Sequence, residues 1–220
     1  EKALSLTIDG KGDGFFSKLY LFNGNDHELI GESLASFFGD GDHCYLSIGH
    51  IYQNFTEAMG LRANNDEGKV EALAAFGSAD QNLLNQLKDA TFIDEKSLSI
   101  NFDINKIKPF YDINFLKSKR SIIGNENFCS VVQNYLEDTV VDYLNLVYEK
   151  YPIKNLCLSG GVAANIIMSL NIYEKTNFNN IYVLPPMGDE GTALGGAILK
   201  ATQLNKDISW LKDCVMPYFG

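Results

Sequence analysis

Three glycine-rich stretches carry acidic or amide side chains at spacings that chemistry can use. The first is Ile8-Asp9-Gly10-Lys11-Gly12-Asp13-Gly14. An acidic residue at a strand end beside glycines can hold a metal ion or bring a phosphate onto bare backbone N–H groups. The same residues also suit a plain hairpin turn, since Asp and Gly are common turn formers. The second stretch is Leu158-Ser159-Gly160-Gly161-Val162-Ala163-Ala164-Asn165. Paired glycines between a strand and a helix N-terminus present backbone amides, and the helix dipole turns them toward an anion or polar group. Asn165, read as one turn inside that helix, would face the same ligand. The bland alternative is a tight βα turn that needs glycine dihedrals, followed by a surface Asn. There is no GxGxxG and no Walker lysine, so Rossmann and P-loop readings fail.

The third stretch is Pro185-Pro186-Met187-Gly188-Asp189-Glu190-Gly191-Thr192-Ala193-Leu194-Gly195-Gly196-Ala197. Asp189 follows a strand and precedes a helix slimmed by small residues, which permits close packing or close ligand approach. Its alternative role is an acidic N-cap. A fourth feature is Asp66-Glu67-Gly68-Lys69. A lysine at a helix start opposes the dipole, so an anionic ligand would account for Lys69, and a solvated charge run is the alternative. The histidines form a poor catalytic set: His27 and His43 lie in polar loop contexts, and His50 sits beside an apolar helical stripe. No HExxH, HxxxH or GxSxG occurs.

These stretches need elements to hold them. Residues 3–8, 15–22 and 28–33 read as strands of a hairpin meander, punctuated by Gly- and Asn-rich turns. From Ser47, a plausible N-cap, apolar residues recur at helical spacing up to Gly60. A loop then enters a short helix ended by Gly77, and residues 80–87 form another. Residues 91–123 are the least legible, with a strand expected at 97–102. The longest helix is expected from about Glu126 to Lys150, with Pro152 beyond it. Then come a strand at 155–158, a helix at 162–174, a strand at 181–184 and a helix at 189–203. That rhythm implies parallel pairing, and a mixed α/β protein overall.

Composition bounds the function. The 220 residues suggest one large domain or two small lobes. A net charge of −10 argues against a nucleic-acid partner and weakly against an anionic membrane surface. No apolar run is long enough to span a bilayer. The opening EKALSLTIDG is not a signal peptide; it reads as a strand within a longer protein. Cys44, Cys129, Cys157 and Cys214 form no CxxC pair and are expected as reduced thiols of a cytoplasmic protein.

The order of the stretches resembles the actin, sugar-kinase and acetate-kinase superfold, with its ribonuclease H-like mixed sheets flanked by helices. More closely, TIDGKGDG, SIGHIYQNFTEAMGL, NDEGKVEALAAFG and LSGGVAANIIMSLNIYEKTNFNNIYVLPPMGDEGTALGGAI together resemble O-carbamoyltransferases of the nodulation-protein-U type. These include antibiotic-modifying carbamoyltransferases and are related to the enzymes that make threonylcarbamoyl-adenosine in tRNA. The likeness covers about residues 3–90 and 150–200.

The resemblance implies transfer of a carbamoyl group from carbamoyl phosphate to a hydroxyl of a sugar or other small molecule. ATP is used to form a carbamoyl-adenylate, and a divalent metal, iron or a similar ion, sits near the phosphates. By position, Asp9 and Asp189 would be metal ligands. Gly160, Gly161 and Asn165 would contact the adenosine, Glu67 and Lys69 would line the nucleotide pocket, and Gly188 and Gly191 would let their loop approach phosphate. The family's HxxxH metal ligands and its adenylate-forming C-terminal domain have no counterpart in these residues, so a central fragment is expected. It would comprise a first-lobe remainder at 1–90, a variable connection with the long helix at 91–149, and a nucleotide-binding α/β unit at 150–220. Expected partners are the hydroxyl acceptor, carbamoyl phosphate and a second copy in a homodimer, with no nucleic acid or membrane. The alternatives are a threonylcarbamoyl transferase acting on tRNA, which the acidic charge disfavours, a kinase of the same superfold, and a nucleotide-binding module without turnover.

Overall fold

The computed structural model describes residues 2–37, 45–204 and 209. It opens with the expected meander: β1 (Lys2–Gly12), β2 (Phe15–Asn23) and β3 (Asp26–Leu34). Strand alternation decides the faces. Leu4, Leu6 and Ile8 are fully buried on one side, and Ser5, Thr7 and Asp9 point to the other. The first hairpin closes at Asp13-Gly14, with φ of 50° and 84°, the positive pair that matches strand twist in a two-residue turn.

The helical layer begins with α1 (Ile48–Ala58), capped by Ser47, whose hydroxyl accepts the His50 N–H. There follow α2 (Glu67–Ala74) and α3 (Gln81–Asp89), then a small hairpin of β4 (Thr91–Asp94) and β5 (Ser99–Phe102). The illegible segment resolves into α4 (Ile104–Ile107), a 3-10 turn (Lys108–Tyr111) and α5 (Ile113–Ile123). The spine is α6 (Asn125–Lys150), which packs against α1, α2, α3 and α5 and against α7 (Ile166–Lys175). Phe55 of α1 stacks on Phe128 of α6 with centroids 4.5 Å apart.

Between α6 and α7 lies β6 (Asn155–Ser159), and β7 (Asn180–Val183) and α8 (Gly191–Gln203) follow. The sheet order is β3-β2-β1-β6-β7. β1 pairs antiparallel with β2 and parallel with β6, Leu4 opposite Leu156 and Thr7 opposite Ser159. Two parallel neighbours, β6 and β7, are joined through α7, as the strand–helix–strand rhythm requires. The sheet therefore runs across the division expected at residues 90 and 150. The early meander and the late α/β unit are one sheet, because apolar β1 finds its second partner in equally apolar β6. The architecture is mixed α/β, a five-strand mixed sheet flanked by helices. Among the described residues no helix is long and apolar enough to cross a membrane.

Candidate functional site

Two cavities, of about 370 and 490 Å³, open at the end of β1. Asp9 belongs to the lining of both. Its Oδ1 accepts the Gly10 N–H at 2.7 Å, and its Oδ2 accepts the Gly161 N–H at 2.8 Å. Charge-assisted bonds of this kind fix a carboxylate in orientation as well as in place.

The glycines around Asp9 are required by proximity. A Cβ at Gly161 would stand 3.1 Å from Asp9 Oδ1. Gly160 has φ of 91°, and a Cβ there would run into the Ile8 carbonyl. The Gly160 N–H donates to the Met187 carbonyl at 2.6 Å, tying the second glycine-rich stretch to the third. α1 joins from another side, where His50 Nδ1 lies 3.1 Å from the Gly10 carbonyl oxygen. The same nitrogen lies 2.8 Å from the Ser47 hydroxyl, so the ring bridges the α1 N-cap and the Gly10 carbonyl. His50 thus braces the chain just after Asp9.

The helix after the paired glycines begins later than expected. Residues 161–164 form a 3-10 turn, α7 starts at Ile166, and Asn165 is its N-cap, not a residue one turn inside. Asn165 Oδ1 accepts the Met168 N–H at 2.8 Å. Glu71 Oε1 accepts the Ile167 N–H at 3.0 Å. Two amides of the first turn are therefore taken by the protein's own side chains. The carboxylate of Glu71 stands where an anionic ligand at this helix end would sit.

The first cavity is accordingly acidic and polar. Asp9, Glu67 and Glu71 line it with Tyr52, Asn64 and Asn165, and no Lys or Arg is among its lining residues. Such a wall suits neutral hydrogen-bonding groups, hydroxyls above all, better than phosphate. Gly161 lies in this cavity and Gly160 in the other. Lys69 does not line either cavity: its Nζ pairs with Asp66 at 2.8 Å, and this pairing accounts for a lysine at a helix start. The hydrogen bond from Lys69, reinforced by the Arg62 backbone N–H, holds the Asp66 carboxyl below its ordinary range. Glu67 accepts the Asn64 N–H at 2.6 Å and so shapes the loop before α2.

The second cavity gathers Asp9, Asp189, Gly188 and Gly191 with Lys11 and Lys18. Lys11 Nζ rests 3.6 Å from the centroid of the Tyr45 ring. The loop is closed by the Gly191 N–H on the Gly188 carbonyl at 3.0 Å, and a Cβ at Gly191 would run into the Pro186 carbonyl. α8 starts at Gly191 with Glu190 at the cap position and no side-chain cap bond. Asp189 therefore serves the helix start through its carbonyl, which accepts from the Thr192 hydroxyl at 2.6 Å. Among the described residues no group of three or more His, Cys, Asp or Glu could hold a metal ion. Asp9 and Asp189 bring two carboxylates to one cleft, with Asp13 also in its lining.

Of the remaining histidines, only His27 is among the described residues. His27 is exposed, as expected, but lies on β3 rather than in a loop, stacked on Phe22 with centroids 5.5 Å apart. His43, Cys44 and Cys214 lie outside the described residues. Cys129 and Cys157 are free thiols; burial pushes Cys129 up to about 11 and raises Cys157 as well.

Residues that patterning did not single out complete the first cavity. Tyr52 shares the apolar stripe of α1, and its hydroxyl donates to Gln133 Oε1 at 2.8 Å. Burial, with the nearby Glu71 charge, raises the Tyr52 hydroxyl far above its ordinary range, so it remains a neutral donor. Gln133 and Asn165 exchange amide bonds of 3.0 and 2.9 Å. Gln133 Nε2 also donates to Glu137 Oε1 at 2.8 Å, and Asn171 Nδ2 to Glu137 Oε2 at 2.9 Å. Burial raises the Glu137 carboxyl despite the Gln133 hydrogen bond. A polar residue on a buried helix face is the only sequence signal for Gln133.

The family model described as "Carbamoyltransferase N-terminus" matches residues 1–198. The chain belongs to this carbamoyltransferase family. It is similar to an uncharacterized protein of Methanocaldococcus jannaschii, 47% identical over 226 residues, covering 100% of this chain and 37% of that protein. The nodulation protein NolNO of Sinorhizobium fredii is 29% identical over 212 residues, covering 94% of this chain and 29% of the relative. The 3'-hydroxymethylcephem-O-carbamoyltransferase of Amycolatopsis lactamdurans is 25% identical over 207 residues, covering 90% and 37%. The chain thus spans about a third of the length of these relatives.

Proposed function

We propose that the protein is an O-carbamoyltransferase and that these residues form its nucleotide chamber. The observation that carries the reading is Asp9, one fixed carboxylate shared by two cavities of different character. The first cavity, acidic and hydroxyl-seeking, suits the nucleoside of ATP or of a carbamoyl-adenylate. The second, with Lys11, Lys18 and the glycine-rich loops, suits the phosphates and the group to be transferred. Transfer forms a bond from the acceptor oxygen to the carbamoyl carbon and releases AMP, the hydroxyl proton passing to a base. The carbamoyl group would come from carbamoyl phosphate.

Asp9 and Asp189 would supply two hard oxygen donors to a divalent ion, iron or a similar metal, which when bound would polarise the carbonyl under attack. Imidazole ligands for iron would have to come from beyond these residues. The protein's own part is to hold the Asp9 carboxylate, through Gly10 and Gly161, between the two chambers.

The test is a calorimetric titration with ATP and a divalent ion, alongside a radiolabelled carbamoyl phosphate assay on the full-length protein. Binding that competes with adenosine, and ATP-dependent transfer to a hydroxyl acceptor, are expected. ATP binding without any transfer would favour a module without turnover. No nucleotide binding would overturn the reading.

A further inference from the structure

We propose that Gln133 is a positioning residue that keeps the Gly161–Asp9 contact in register with the first cavity. The proposal rests on the reading of that cavity as the nucleoside chamber only for its effect on ligand. Gln133 lies in the middle of α6, 3% exposed, one layer behind the cavity wall. It touches two parts of that wall, Tyr52 of α1 and Asn165 at the head of α7.

All of its hydrogen-bonding capacity is used. The carbonyl accepts from Tyr52 and Asn165, and the amide donates to Asn165 and Glu137. A fully satisfied buried amide has one orientation, and so do its partners. Asn165 in turn directly follows a single 3-10 turn, residues 161–164. That turn is closed by Ala163 N–H on the Gly160 carbonyl at 2.9 Å and Asn165 N–H on the Val162 carbonyl at 3.1 Å. Inside it, the Gly161 N–H holds Asp9 Oδ2 at 2.8 Å. The path from Gln133 to Asp9 is a pinned amide, one tight turn and one hydrogen bond.

The competing explanation is a polar knot that only ties α1, α6 and α7 together. The network contains its own control. Asn171 bonds to Glu137 and to the Ile167 carbonyl on the same two helices, α6 and α7, and neither of these partners lines a cavity. Gln133→Met and Asn171→Leu both strip buried hydrogen bonds, and both should lower the melting temperature of the full-length protein. Positioning predicts that only Gln133→Met accelerates exchange of the Gly161 amide hydrogen, by about tenfold or more over Asn171→Leu. It also predicts that only Gln133→Met weakens ATP binding, by about tenfold. Tyr52→Phe, which removes one donor and keeps the ring, should move both readouts the same way by less.

If Gly161 exchange follows the fall in melting temperature equally in both variants, the proposal is wrong and the network is structural. If the exchange rates separate but wild-type protein binds no ATP, the positioning of Asp9 stands and the nucleoside reading falls. Should Gln133→Met not fold, Gln133→Glu keeps the acceptor toward Tyr52, loses both donors and is subject to the same comparison.

Discussion

The Gly161 amide donates to Asp9 Oδ2 at 2.8 Å across 152 residues of chain. This bond joins the end of β1 to the turn after β6, two strands that are parallel neighbours in the sheet. It also fixes the carboxylate that both cavities share. Its shortness depends on a bare glycine, since a Cβ at Gly161 would crowd the same carboxylate.

Asp9→Asn and Asp189→Asn should therefore differ. Asp9 lines both cavities, whereas Asp189 lines only the second. Asp9→Asn keeps the size of the side chain but loses a charged acceptor, and it should weaken adenosine and ATP alike, by about tenfold each. Asp189→Asn should leave adenosine binding within about twofold while weakening the divalent-ion dependence of ATP binding. Parallel titrations with adenosine, ATP, and ATP with metal check this. Equal loss of adenosine binding in both variants would contradict the two-chamber arrangement.

Gly160→Ala should be severely destabilising. Its φ of 91° and ψ of 157° fall in a region open essentially to glycine alone, and its Cβ would meet the Ile8 backbone. Strain and crowding together cost about 3 kcal/mol or more, roughly 6–12 °C of melting temperature in a chain of this length. Gly12→Ala is the control, because nothing lies within 4 Å of its Cβ. Thermal unfolding followed by circular dichroism should show a large fall for the first and little change for the second.

Lys69→Ala should have little effect on nucleotide. The lysine is exposed and already paired with Asp66, so ATP affinity should fall by less than about threefold and the melting temperature by about 2 °C at most. Glu67→Gln, at a cavity-lining position, should weaken ATP by about tenfold through loss of a charged acceptor for hydroxyls. A reversed ranking in calorimetry would return Lys69 to the ligand.

The meander was legible because Leu4, Leu6 and Ile8 alternate with polar residues and the turns Asp13-Gly14 and Gly24-Asn25 separate the strands. α6 was legible because its apolar spacing runs through seven turns. The segment 91–123 was not, because α4 and α5 are short and owe their starts to caps more than to periodicity. Asp103 caps α4 and Asp112 caps α5 through backbone N–H groups, and each begins an Asp-Ile-Asn tripeptide that single-window patterning passes over. The glycine stretches were legible as tight turns because close backbone approach leaves few other residue choices. Gln133 and Glu71 were not, since their meaning lies in partners 32 and 96 residues away.

Glu137 should give stability a pH dependence of definite sign. Burial raises its carboxyl in the folded protein. The folded state then holds a proton that the unfolded chain has released. Stability is full below the ordinary glutamate range and is lost as pH rises through the raised value. In Glu137→Gln the melting temperature should vary less steeply than in wild type as pH rises above the ordinary glutamate range. An unchanged slope would show that Glu137 titrates normally.

The pairing of β1 with β6 has a consequence for synthesis. Contacts between strands 150 residues apart in sequence make for slow closure, because chain entropy must be lost before those contacts form. A ribosome adding about 5–20 residues per second releases β6 roughly eight to thirty seconds after β1. Through that interval the nascent meander has no β6 beside β1, although α1, which packs on β1, emerges well before it. The arrangement that seats Asp9 at the junction of two cavities is thus also the step at which the growing chain is most dependent on protection from its neighbours.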